Sequence, residues 1–121
     1  MKVLESAENY LEAILILRQE NGQVRSIDIA NYLGFSKPSV SVAMKQLEEG
    51  GYIGRDADGH ITLTEEGDAI AKRMYERHEL LRKLFIKMGV SEETAQADAC
   101  KVEHHISQET FACLKKHFDS L

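Results

Sequence analysis

The chain has 121 residues, room for one domain or two small ones. A hydrophobic share of 43% is enough for a core, a charged share of 29% is ordinary for a water-facing protein, and no apolar run approaches the length of a membrane span. The net charge of −5 argues mildly against nucleic acid, although DNA binding depends on where Lys and Arg are placed rather than on their sum. Cys100 and Cys113 make no disulfide framework and the first 17 residues lack a signal-peptide pattern, so a reducing, cytoplasmic setting without a membrane is expected.

From Ser6 to Glu20, Ala7, Tyr10, Leu11, Ile14 and Leu17 recur at helical spacing, with Glu8, Asn9 and Glu12 on the polar side. Asn21-Gly22 stops this helix. A second helix is predicted from Ser26, its N-cap, to Leu33. The turn Gly34-Phe35-Ser36 then joins it steeply to a third. Ser36 caps the third helix, Pro38 sits in its first turn, and Val40, Met44 and Leu47 face inward as far as Glu49. Two short β-prone runs, Tyr52 to Arg55 and His60 to Leu63, flank an Asp58-Gly59 turn, a hairpin signal. A helix-turn-helix followed by a hairpin is a winged helix.

Thr64 opens a long helix to about Lys87, with Ile70, Met74, His78, Leu81, Leu84 and Phe85 near one stripe. Ser91 caps a helix expected to reach His105 or Ile106, and Ser107 caps a last one bearing Phe111, Leu114 and Phe118. The expected fold is mainly α with a small β-wing. Its expected division is a winged helix-turn-helix DNA-binding domain over 1–64 and a helical metal-binding and dimerisation domain over 65–121.

Chemistry concentrates at Cys100, Glu103 and His104, which share one helix face because residues three and four apart are neighbours. A thiolate, a carboxylate and an imidazole converging on one point can hold iron, zinc or cobalt more readily than magnesium or calcium. The competing reading is a small buried cysteine beside two exposed polar residues. His78 faces the protein from the long helix, where a lone histidine is more often a packed core residue. Glu12 and Asn9 offer further donors from the first helix, against the plainer reading of a solvated face. In the first half, Ser36, Lys37, Pro38, Ser39, Ser41 and Lys45 occupy the exposed side of the third helix. There they can meet phosphates and base edges in a major groove, with Arg55 of the wing reaching the adjacent backbone.

These segments resemble the diphtheria-toxin-repressor family of iron- and manganese-dependent transcriptional regulators. The resemblance is carried by Glu8-Asn9-Tyr10-Leu11-Glu12, the run from Ser36 to Ser41, Leu63 to Gly67, Arg77-His78-Glu79-Leu80-Leu81, and Ala99 to Ser107. It implies a repressor of metal-homeostasis genes that binds operator DNA as a homodimer when loaded with Fe²⁺ or Mn²⁺, with Zn²⁺ and Co²⁺ able to substitute in vitro. Cys100, Glu103 and His104 match the iron-type members, His78 matches a ligand of both branches, and Glu12 matches a carboxylate ligand of the manganese type. Asn9 departs from both branches, and Arg82 stands where iron-type members carry an acidic ligand. The resemblance further implies a metal tying the first domain to the second. Two rivals remain at this stage: a winged-helix regulator answering to a small ligand or to redox change, and a metal-dependent hydrolase. No general base beside a pocket, phosphate loop or nucleophile motif supports an enzyme or a small organic substrate.

Overall fold

The computed structural model describes residues 5–120, and the apolar Leu121 lies outside that range. By compactness the chain divides after Lys72 into two units. The first contains α1 (Glu5–Asn21), α2 (Ser26–Leu33), α3 (Lys37–Glu49), β1 (Ile53–Arg55) and β2 (Ile61–Leu63). The second contains α5 (Glu92–Val102), α6 (Gln108–His117) and a 3₁₀ turn over Phe118–Ser120. The long α4 (Glu65–Lys87) begins in the first unit and continues into the second.

The first unit is organised by the periodicity of its apolar residues. Leu11 and Ile14 of α1, Ile29 of α2, Val40 and Met44 of α3, Val24 and Ile61 are fully buried. Gly34, with φ 72°, adopts the left-handed conformation that ends α2 and turns the chain into α3. Ser26 is the first residue of α2 rather than its N-cap: Arg25 holds the N-cap position, and the Asp28 carboxylate in the first turn accepts the Arg25 N–H at 2.8 Å. Ser36 caps α3 by accepting from the Ser39 N–H at 3.3 Å, and its own hydroxyl donates to Ser39 Oγ.

The wing pairs β1 and β2 antiparallel, with Ile53 opposite Leu63 and Arg55 opposite Ile61. Two bonds hold it to the rest of the unit, from Arg18 of α1 to the Ile61 carbonyl at 3.0 Å and from the Ile61 N–H to the carbonyl of Val24, in the loop between α1 and α2, at 2.7 Å. At its tip the Asp56 carboxylate accepts the N–H groups of Asp58 and His60, each at 2.9 Å. The His60 bond, above all, holds that carboxyl below its ordinary pKa. The grouping of Asp56, Asp58 and His60 is therefore accounted for by turn geometry.

Where α4 leaves the wing, Thr64 caps it, accepting from the Gly67 N–H at 3.2 Å and donating to the Gly51 carbonyl at 2.8 Å. Gly67 here passes directly over the Tyr52 main chain, and a Cβ at this position would lie 2.0 Å from the Tyr52 carbonyl oxygen. Backbone cannot step aside as a flexible side chain would. Gly67→Ala is therefore expected to destabilise the protein by about 1–3 kcal/mol, as overpacking does. Chemical denaturation followed by circular dichroism checks this, and an unchanged midpoint would show that α4 can shift at no cost.

Candidate metal centre

Within the second unit, α4 and α5 bring together three of the nominated donors. His78 comes from the middle of α4 and is 5% exposed; Glu103 stands at the C-terminal end of α5 and is 0% exposed. His78 Nδ1 lies 3.0 Å from Glu103 Oε2 and 3.7 Å from Cys100 Sγ, and one donor atom from each residue falls within 4.8 Å of the others. Cys100, two residues before the end of α5, is the solvent-facing member. His104 joins through Glu103, its Nε2 lying 3.3 Å from Glu103 Oε1.

The α5 helix ends earlier than its sequence pattern suggests. It stops at Val102, with Glu103 as C-cap, and residues 103–106 form a turn rather than further helix. The carbonyls of this turn are taken up by a guanidinium that the sequence pattern does not single out. Arg77, buried beside His78, donates to the carbonyls of Glu103 at 3.1 Å and Ile106 at 2.7 Å, and to Gln108 Oε1 at 3.0 Å, with its plane over Phe111. The carbonyls at a helix end need such a donor, and a cation there also suits the helix dipole. Gln96 is the second overlooked residue: its Oε1 lies 2.9 Å from His78 Nε2. A signal existed for it, since Gln96, Cys100 and Glu103 are spaced four and three apart along one helix face.

A divalent ion fits this donor set. Burying a carboxylate is costly unless each oxygen finds a partner. Oε2 of Glu103 has His78, whereas Oε1 is buried without a hydrogen bond and faces His104 Nε2 out of hydrogen-bonding geometry. Sulfur, carboxylate oxygen and imidazole nitrogen together suit a borderline transition metal. With no metal, the hydrogen bond with Cys100, then that with Glu103, pushes the His78 pKa up to about 11 against the opposing effect of burial.

The remaining nominated residues sit as follows. Glu12 and Asn9 lie on α1 of the first unit; Glu12 is withdrawn from solvent at 7% exposure, although the periodicity of α1 puts it on the polar side. Arg82 pairs with Glu79 at 3.2 Å. Lys37, Pro38, Ser39, Ser41 and Lys45 are all exposed on α3. The Ser36 hydroxyl is engaged in capping, and Arg55 is shared with Glu48 and the Gly59 carbonyl, each at 3.4 Å.

Two family profiles match the chain: the iron dependent repressor N-terminal DNA binding domain over residues 2–61, and the iron dependent repressor metal binding and dimerisation domain over residues 64–121. The transcriptional regulator MntR of Salmonella typhimurium is 39% identical over 106 residues, covering 88% of this chain and 68% of the relative. An uncharacterised HTH-type transcriptional regulator of Methanocaldococcus jannaschii is 33% identical, covering 92% of this chain and 90% of its own. Among solved structures, IdeR of T. acidophilum superposes with a TM-score of 0.83 at 25% identity, covering 98% of this chain and 55% of that one. A manganese-dependent transcriptional repressor in complex with manganese gives 0.83 at 26% identity, covering 91% and 51%. The chain thus spans about half the length of these solved structures.

With the His78 pKa pushed up to about 11 by Cys100 and Glu103, an ion bound there would have to displace a proton. Metal affinity is expected to rise with pH between 6 and 8, with proton release visible by calorimetry in buffers of different ionisation enthalpy. Conversely, His78 stabilises the metal-free fold fully below its unfolded pKa of about 6.5, and loses that contribution as pH rises toward about 11. A pH-independent metal affinity would remove His78 from the ligand set.

Proposed function

We propose, because the chain belongs to the iron-dependent repressor family, that it is a metal-activated transcriptional repressor that grips operator DNA as a homodimer. The family consists of transcriptional regulators and not of enzymes. The observation that carries the metal half of this reading is the buried, unsatisfied Glu103 oxygen within a Cys, Glu and His cluster. The DNA half is supported by an α3 helix whose exposed side offers Lys37, Pro38, Ser39, Ser41 and Lys45, with no acid in its first turn. Helix-turn-helix proteins present the N-terminal part of this second helix to base edges. Arg55 of the wing is a phosphate contact once it leaves Glu48.

The proposed ligands are His78, Cys100, Glu103 and His104, with Glu12 as the carboxylate nominated from α1 and Asn9 as a neutral oxygen donor beside it in sequence. A sulfur ligand favours Fe²⁺; a manganese regulator is named among the relatives, so Mn²⁺ is the alternative, and Zn²⁺ and Co²⁺ are expected to bind in vitro. Homodimerisation is supported by apolar residues that the second unit does not hide. Leu80, Leu84, Phe85, Leu114 and Phe118 are only half-buried, and a groove runs between Tyr75, Leu80, Phe111 and Phe118. The heads of such a dimer must present their α3 helices one DNA turn apart, roughly 34–36 Å, or a multiple of that. Greater metal affinity of the DNA-competent state then shifts the population toward it, and operator DNA tightens metal binding by the same factor.

Anaerobic DNA-binding titrations with Fe²⁺, Mn²⁺, Zn²⁺ and Co²⁺ test the function, using an operator found by selection from random sequence. Metal is expected to tighten binding by about 5–150-fold, and equal affinity with and without metal would overturn the reading. Cys100→Ala and Glu12→Gln should each weaken the metal response while leaving the far-ultraviolet spectrum and the oligomeric state unchanged. Sedimentation at micromolar concentration is expected to show a dimer, and a clean monomer would remove the half-site geometry.

A further inference from the structure

We infer that Gln96 is a positioning residue for the metal centre: it accepts the Nε2–H of His78 and so commits that imidazole to presenting Nδ1 to the ion. The inference rests on the ligand role proposed above for His78, Cys100 and Glu103. Its basis is the placement of the two edges of one ring. The Nδ1 edge faces the cluster, 3.0 Å from Glu103 Oε2 and 3.7 Å from Cys100 Sγ. The Nε2 edge faces Gln96 Oε1 at 2.9 Å.

A neutral imidazole carries one N–H and one lone pair, and the partner of the N–H decides which nitrogen is left to bind metal. A ligating histidine almost always donates its other N–H to an oxygen acceptor, which fixes both tautomer and ring orientation. Here the side-chain amide oxygen of Gln96 is that acceptor, delivered by the same helix as Cys100 and one turn before it. An amide oxygen accepts without adding charge, so Gln96 orients His78 without strengthening the field that the thiolate and carboxylate already create. Because Gln96 is exposed, replacing it removes the acceptor without opening the core.

The test uses the full chain labelled with ¹⁵N and loaded with Zn²⁺, a diamagnetic probe. Long-range ¹H–¹⁵N correlations of the His78 ring are expected to show a protonated Nε2 and a metal-bound Nδ1. Gln96→Leu should lower Zn²⁺ affinity by about 10–100-fold and mix the ring tautomers, with the melting temperature of the metal-free protein unchanged. Gln96→Glu, which keeps an oxygen acceptor, should retain the parental correlation pattern. A metal-bound Nε2 in the parent, or parental affinity and tautomer in Gln96→Leu, would overturn the inference while sparing the ligand set. If His78→Gln also binds Zn²⁺ as tightly as the parent, the ligand reading itself fails and this inference falls with it.

Discussion

The second unit is built around a carboxylate that water does not reach. Two consecutive residues of α4 hold it, one at each end: Arg77 takes the main-chain carbonyl of Glu103, and His78 takes the side-chain oxygen. Neighbours on a helix diverge by about 100°, so this double grip needs α5 to end beside α4. The turn 103–106 lets it do so by exposing the carbonyls that Arg77 collects. Much of the second unit's polar architecture follows from that arrangement. Gln108 is drawn to the start of α6 to share the guanidinium, and Phe111 lies beneath its plane.

The same arrangement leaves an electrostatic debt. One Glu103 oxygen finds His78, and the other finds an imidazole in poor geometry. In a low-dielectric interior an unmatched charged acceptor is costly, and a bound cation is the remedy of greatest strength available to such a site. In the metal-free centre, Cys100 and Glu103 raise the His78 pKa, which favours a proton between them and offsets part of that cost. An ion taken up by the proposed ligands would compete with this proton for the same cage, which would couple metal occupancy to acidity.

In the first unit the deciding feature is local charge rather than total charge. The chain carries 20 acidic against 15 basic residues, yet the exposed side of α3 has lysines at 37 and 45 and no acid before Glu48. Serines at 36 and 39 divide the labour there. Ser36 closes the helix start, and Ser39 and Ser41 remain exposed on the outer side. Under the proposed function, a phosphate-rich partner would meet this surface rather than the chain's average.

Much of this protein is written in short-range pattern. Apolar spacing, the caps Ser36, Ser91 and Ser107, the left-handed Gly34 and the Asp58-Gly59 turn are local signals. They sufficed to lay out six helices, the hairpin, and the common face of Cys100 and Glu103. What tertiary structure alone decided lies at sequence separations that no periodicity reaches. Arg77 reaches the Glu103 carbonyl at the end of α5 from 26 residues away, Gln96 meets His78 across 18, and Glu12 is withdrawn from solvent despite a polar-face position. Helix periodicity states which side a residue faces. Only packing states what stands opposite, and the charge and hydrogen-bond state of His78 and Glu103 depends on that neighbour.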